Sequence, residues 1–190
     1  MKKAFVCIIA LTVYFSVQGQ SVLQGVIQTE MGPIYFELYP QKAPATVANF
    51  LQYLNSNSYD QSSFFRVCTP ANEADRNIPI QVIQGGNLPE DLLLPPIAIE
   101  TTQMTGLHHK KGTLSMARGE PNSAQSSFFI CVTDQPELDF QGKRNPDGYG
   151  FAAFGQVTKG MDVVLKIQAQ DNKEQMLLQP VLIQTIQLIN

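Results

Sequence analysis

The sequence predicts an all-β domain, a barrel or a sandwich with two helices set among its strands, and three observations carry that reading. Beyond residue 60, short β-prone runs at 64–67, 80–83, 97–99, 113–117, 127–132, 151–157 and 181–189 are parted by clusters of Gly, Pro, Asn and Asp, the punctuation of an antiparallel fold. Two windows break this pattern with apolar residues at helical spacing. The chain's 190 residues, 44% of them hydrophobic, suffice for one sizeable core, whereas a prior of about 150 residues per domain leaves little room for two.

Each segment has its own justification, starting from the first residues. Met1-Lys2-Lys3 precedes an uncharged, mostly apolar run over 4–17, and Val17 and Gly19 suit the cleavage positions of a secretory signal. The run falls short of the about 20 residues of a transmembrane helix. We therefore expect a signal peptide over 1–19, a domain over 20–190, a periplasmic or secreted location, and no stable membrane insertion after cleavage. Cys68 and Cys131 then lie in a disulfide-permissive compartment. Either they pair, which needs their Cα atoms within about 7 Å, or both are small buried hydrophobes.

Runs at 22–28 and 34–39, separated by Glu30-Met31-Gly32-Pro33, read as a hairpin. After Pro40, Val47, Phe50, Leu51 and Leu54 share one helical face, with Pro44 in the first turn and the end in Asn55-Ser56-Asn57-Ser58. The loop 69–77, carrying Glu73, Asp75 and Arg76, is long and polar and reads as surface decoration. A second helix starts near Gly160: Met161, Val164 and Leu165 share a face, and Asp162 sits in the first turn, where the helix dipole favours negative charge. Its polar continuation to about residue 173 leaves its end open.

The formal charge of −3 leaves no cationic surplus to neutralise phosphates, which argues against a nucleic-acid partner and for a roughly neutral ligand. The only histidines, His108 and His109, are adjacent; on an extended chain they point to opposite sides and do not share a metal. No Cys-x-x-Cys, His-Glu-x-x-His or Gly-rich phosphate cradle occurs, so neither metal nor cofactor is expected. Ser115, Ser126 and Ser127 have no elbow motif and no evident His partner, which counts against hydrolysis. Gly85-Gly86 reads as a tight turn or a close backbone approach. Arg66 stands among Phe64, Phe65 and Val67, and local pattern alone leaves open whether it faces plain solvent or a site.

In chain order, eight motifs resemble those of the cyclophilin family of peptidyl-prolyl cis/trans isomerases. They are Thr29-Glu30-Met31-Gly32-Pro33-Ile34, the stretch from Leu38-Tyr39-Pro40 through Ala48-Asn49-Phe50, Ser63-Phe64-Phe65-Arg66-Val67, and Val82-Ile83-Gln84-Gly85-Gly86. Then come Lys111-Gly112-Thr113-Leu114-Ser115-Met116-Ala117-Arg118, Ser127-Phe128-Phe129-Ile130, Phe151-Ala152-Ala153-Phe154-Gly155-Gln156-Val157 and Gly160-Met161-Asp162-Val163-Val164. The resemblance implies a closed eight-stranded antiparallel β-barrel capped by two α-helices, packed inside and binding ligands on its exterior. It implies isomerisation of X-Pro bonds without a cofactor; given the leader, we expect the substrates to be exported polypeptides and the enzyme to be a monomer.

By motif position, the resemblance makes Arg66 the catalytic arginine and Gln84 the glutamine beside it. Phe129, Met116, Leu138 and Phe151 would line a proline pocket, with Ala117 and Arg118 on the segment that pairs with the substrate backbone. Phe65 stands where many relatives have His, Ser127 where they have Gln, and Glu137 where some have Trp; Phe65, Ser127 and Val82 are read as substrate-binding on the same ground. A longer insert between Val67 and Val82 leaves Gln81 and Val82 where an aromatic and a Met would wall the pocket. The loss of pocket area corresponds to on the order of 1–3 kcal/mol of proline burial and implies slower catalysis. Two other readings are a proline-peptide-binding module using the same groove and a carrier with a hollow barrel.

Overall fold

The structure, a computed structural model, describes residues 22–189; the segment read as a signal peptide lies outside the described residues. The hairpin forms as expected from β1 (Leu23–Thr29) and β2 (Gly32–Leu38), followed by helix α1 (Pro44–Asn55). Strands β3 (Ser63–Cys68) and β4 (Val82–Gly85), the short helix α2 (Thr102–Thr105), β5 (Thr113–Met116) and β6 (Phe128–Cys131) come next. Strand β7 (Ala152–Lys159), helix α3 (Met161–Gln168), the two-residue β8 (Asn172–Lys173) and the long β9 (Met176–Ile189) complete the order. The strands run β1-β2-β7-β5-β6-β4-β3-β9, and β9 pairs back onto β1, closing eight antiparallel strands into a barrel; β8 pairs only with β9.

Alternation along the strands fills the interior. Leu114 and Met116 of β5, Phe128 and Ile130 of β6, and Phe154 of β7 all join one buried core. Helix α1 adds Val47, Phe50, Tyr53 and Leu54, and α3 adds Val163, Val164 and Ile167. The Phe50 ring lies 5.2 Å from Tyr59 and Phe154 and 5.5 Å from Phe128, edge-on to the last. A barrel so occupied has no room for an internal ligand, which removes the hollow-carrier reading. Gly86 satisfies both of its sequence readings: φ is +72°, and an added Cβ would sit 2.9 Å from the Phe128 and Tyr59 rings.

Two expectations, the strand at 97–99 and the start of the last strand, are corrected, and two open points, the end of the second helix and the state of the cysteines, are resolved. Residues 97–99 form no strand, only an isolated bridge from Ile97 to Ala124, because Pro95 and Pro96 remove the preceding donors. Helix α3 ends at Gln168, and β9 begins at Met176, earlier than expected. Exposed Pro180 falls where the β3–β9 register jumps from Phe64↔Val181 to Arg66↔Met176, a bulged position that tolerates proline. Cys68 and Cys131 are free and buried. Strand β4 lies between them, with Val82 opposite both, and two strand spacings of about 4.8 Å exceed the reach of a disulfide.

Candidate active site

The outer faces of β3, β4 and β6 meet in a second apolar cluster, separate from the core: Cys68, Ile80, Val82, Phe129, Cys131 and Leu138, with Ala117 and Phe151 against it. The placement of Arg66 on this face depends on a bulge. Phe64 opposes Gly85 and Arg66 opposes the next residue, Gln84, so Phe65 is the extra residue and the alternation shifts by one. Phe64 and Val67 consequently point into the core, while Arg66 emerges over the cluster.

There a cavity of about 230 Å³ opens. Phe129, Leu138, Val82, Ile80, Ala117 and Phe151 supply its apolar lining, and Arg66, Gln84, Arg118, Arg144 and Asn145 its polar rim. Phe129 is 5% exposed. Phe151 meets its ring edge-on at 5.4 Å, and His109 stacks on it at 5.9 Å. An apolar slot of this kind, rimmed by a few fixed donors, suits a compact apolar ring attached to a polar backbone.

Three guanidinium groups reach the cavity, and only one lacks a carboxylate partner among the described residues. Arg118 makes a bidentate pair with Asp147 at 2.8 and 2.9 Å and lies over the Phe151 ring at 5.2 Å. Its hydrogen bonds hold the Asp147 carboxyl below the usual carboxylate range. Arg144 pairs with Glu73 at 2.5 and 3.1 Å. Arg66 is held by neutral amides: Nη1 donates to Gln84 Oε1 at 2.7 Å, and Nε and Nη2 donate to Gln175 Oε1 at 2.9 and 2.5 Å.

Behind Phe129 the structure corrects the reading of the histidines. His108 and His109 lie in a loop rather than a strand, and both converge on Asp139, through Nδ1 atoms at 2.8 and 2.6 Å from its two oxygens. His109 Nε2 is 2.9 Å from Ser115 Oγ. Burial lowers the pKa of His109, more than Asp139 raises it. Burial also opposes the charge on Asp139, yet the hydrogen bonds from both histidines outweigh it and hold that carboxyl at about 2. The neutral His109 therefore donates from Nδ1 to an ionised Asp139 and accepts from the Ser115 hydroxyl. Ser115 has the His partner that its sequence context did not reveal. It is wholly buried, however, so its oxygen cannot reach a substrate carbonyl, and the chain of bonds braces the cavity floor.

Of the residues read as site residues, Arg66, Gln84, Val82, Ala117, Arg118, Phe129, Leu138 and Phe151 come together at the cavity. Three do not. Met116 points into the barrel core with Leu114, one residue out of phase with the outward Ser115 on β5; Phe65 is the bulged residue and does not line the cavity. Ser127 lines the adjoining groove with Asn87, Ser123 and Gln125, a space of about 250 Å³ that shares Gln84, Ala117 and Arg118 with the cavity. The reading missed Ile80, Arg144 and Asn145. Ile80 lines the cavity with Val82, so the insert supplies wall where a loss of wall was expected.

The insert is also not decoration. Glu73 is fully buried, and one of its oxygens accepts from the Ile80 backbone N–H at 3.2 Å.

The family model described as cyclophilin type peptidyl-prolyl cis-trans isomerase/CLD matches residues 25–188. The chain belongs to the cyclophilin family. Peptidyl-prolyl cis-trans isomerase A of Dickeya dadantii is 38% identical to this cyclophilin over 170 residues, covering 86% of this chain and 81% of the relative. Peptidyl-prolyl cis-trans isomerase B of Escherichia coli is 37% identical over 145 residues, covering 74% and 80%. A cyclophilin type isomerase from Cryptosporidium parvum has the same fold, with a TM-score of 0.71 at 21% identity over 90% of this chain and 99% of the other. This cyclophilin is a peptidyl-prolyl cis-trans isomerase acting on proline-containing peptides.

Proposed function

We propose that Arg66 is the catalytic residue of this isomerase and that the slot over Phe129 takes the substrate's proline ring. Rotating an X-Pro amide breaks its resonance against a barrier of about 18–20 kcal/mol, and the uncatalysed exchange takes tens to hundreds of seconds. In the twisted transition state the proline nitrogen regains its lone pair and accepts a hydrogen bond, which it does poorly in either planar ground state. A donor aimed at that nitrogen binds the transition state selectively.

Raising a rate of about 10⁻² per second to a typical enzyme turnover of roughly 10²–10³ per second requires about 5–7 kcal/mol. A charged hydrogen bond supplies about 1.5–3 kcal/mol of it. The remainder is assigned to holding the ring against Phe129, Leu138 and Phe151 while the preceding carbonyl swings, and to excluding water that favours the polar planar amide. Arginine suits the task because it stays protonated and presents a rigid fork. The observation that carries the proposal is that Arg66 overhangs the same slot as Phe129 and keeps its charge uncompensated by any contacting carboxylate among the described residues.

The test is NMR exchange on a proline tetrapeptide with catalytic amounts of protein. Arg66→Ala is expected to lower turnover at least tenfold with the fold intact; a variant as active as the parent refutes the assignment. We further propose that the enzyme works as a monomer on exported polypeptides in the periplasm or outside the cell. The reading of 1–19 as a signal and the completeness of the cavity within one chain support this. N-terminal sequencing of protein from fractionated cells tests it, with a mature terminus near residue 20 as the expected result.

A further inference from the structure

We propose that Gln175 and Glu73 are positioning residues that aim Arg66: the buried carboxylate fixes the polarity of the Gln175 amide, and that amide fixes the guanidinium. Gln175 Oε1 takes two of the three hydrogen bonds that hold Arg66. The Gln175 side-chain N–H₂ donates in turn to Glu73 Oε1. A guanidinium offers only donors and a carboxylate only acceptors, so the amide satisfies both in one orientation alone. Turned over, it would set N–H₂ against N–H on one side and oxygen against oxygen on the other.

Glu73 is itself saturated and neutralised by Arg144 and the Ile80 N–H, as a wholly buried charge must be. The neutral amide placed between Glu73 and Arg66 lets the carboxylate orient the guanidinium without touching it, so the charge that must attract the proline nitrogen is not quenched. The backbone is held to the same end. Gln175 sits at φ +74° in the two-residue turn between β8 and β9, beside Glu174 at φ +50°, and its carbonyl accepts from the Val67 N–H at 2.8 Å, next to Arg66 in β3. Such a turn favours Asn-Gly; a pair of longer residues persists there where surrounding contacts over-determine it.

The proposal rests on the assignment of Arg66, and the experiment separates the two. Gln175→Met keeps the volume and removes the hydrogen bonds. On the proline tetrapeptide its turnover is expected to fall five- to twentyfold while the half-saturating peptide concentration stays within twofold. Added to Arg66→Ala, the same substitution is expected to change turnover by less than twofold, since its effect runs through the missing guanidinium. Losses that multiply in the double variant, or turnover unchanged in the single one, overturn the proposal. Should Gln175→Met not fold, Gln175→Asn, an amide one methylene too short to bridge both groups, carries the same expected loss and the same refutation. If Arg66→Ala matches the parent, the site assignment fails; if only the Gln175 variants do, positioning alone fails.

Discussion

Arg66 illustrates at the residue scale what neighbours in sequence can and cannot reveal. A strict period of two puts Phe64 and Arg66 on one side of β3; the bulge at Phe65 separates them, and nothing local announces a bulge. The motif resemblance names Arg66, Gln84 and Phe129, which do meet at one cavity, but by the same motif position it also names Met116, whose side chain alternates into the core. Glu73, Gln175 and Arg144 were out of reach because their contacts span 71 and 102 residues. For Phe129, truncation to Ala is expected to raise the half-saturating peptide concentration as well as lower turnover; an unchanged concentration dependence counts against the slot. His109 gives a pH prediction. Its folded pKa lies below the ordinary 6.5, so as pH drops below about 6.5 the unfolded chain takes up a proton that the folded one refuses, and stability falls. Asp139, held at about 2, adds a further loss in the same direction below its ordinary 3.8. Thermal unfolding should therefore shift downward between pH 7 and pH 5, and less so in His109→Gln; equal slopes for the two proteins refute the assignment.

At the scale of elements, the strongest signals were the periodic ones. Helix α1 and the hairpin β1–β2 lie within a residue or two of their expected limits, because apolar spacing and turn chemistry are local properties. The false strand at 97–99 and the late start assigned to β9 both turn on prolines: Pro95 and Pro96 remove donors before Ile97, whereas Pro180 is tolerated at a bulge that only the partner strand β3 reveals. Phe50 of α1 is fully buried against the rings of Phe36, Tyr59, Phe128 and Phe154, and Phe50→Ala is expected to cost about 3–5 kcal/mol, read from denaturant unfolding. The position of β4 between β3 and β6 makes a second expectation. Burial pushes the Cys68 thiol up to about 11 and Cys131 higher still, so neither should be alkylated in the native protein and both should react after unfolding. A mass showing an intramolecular bridge would contradict the strand order.

For the whole molecule, closure and filling were implied by the motif resemblance rather than by any periodicity, since no local signal distinguishes a closed barrel from a sandwich. What closes it is the pairing of β1 with β9, and β9 also pairs with β3, the strand that carries Arg66. The two strands are more than a hundred residues apart, and Gln175 immediately precedes the later one. A nascent chain that has not yet made β9 thus carries a guanidinium propped on one side alone, by Gln84, and missing the two bonds to Gln175. The setting of that group is thus completed only when a strand more than a hundred residues further along the chain joins the one that bears it.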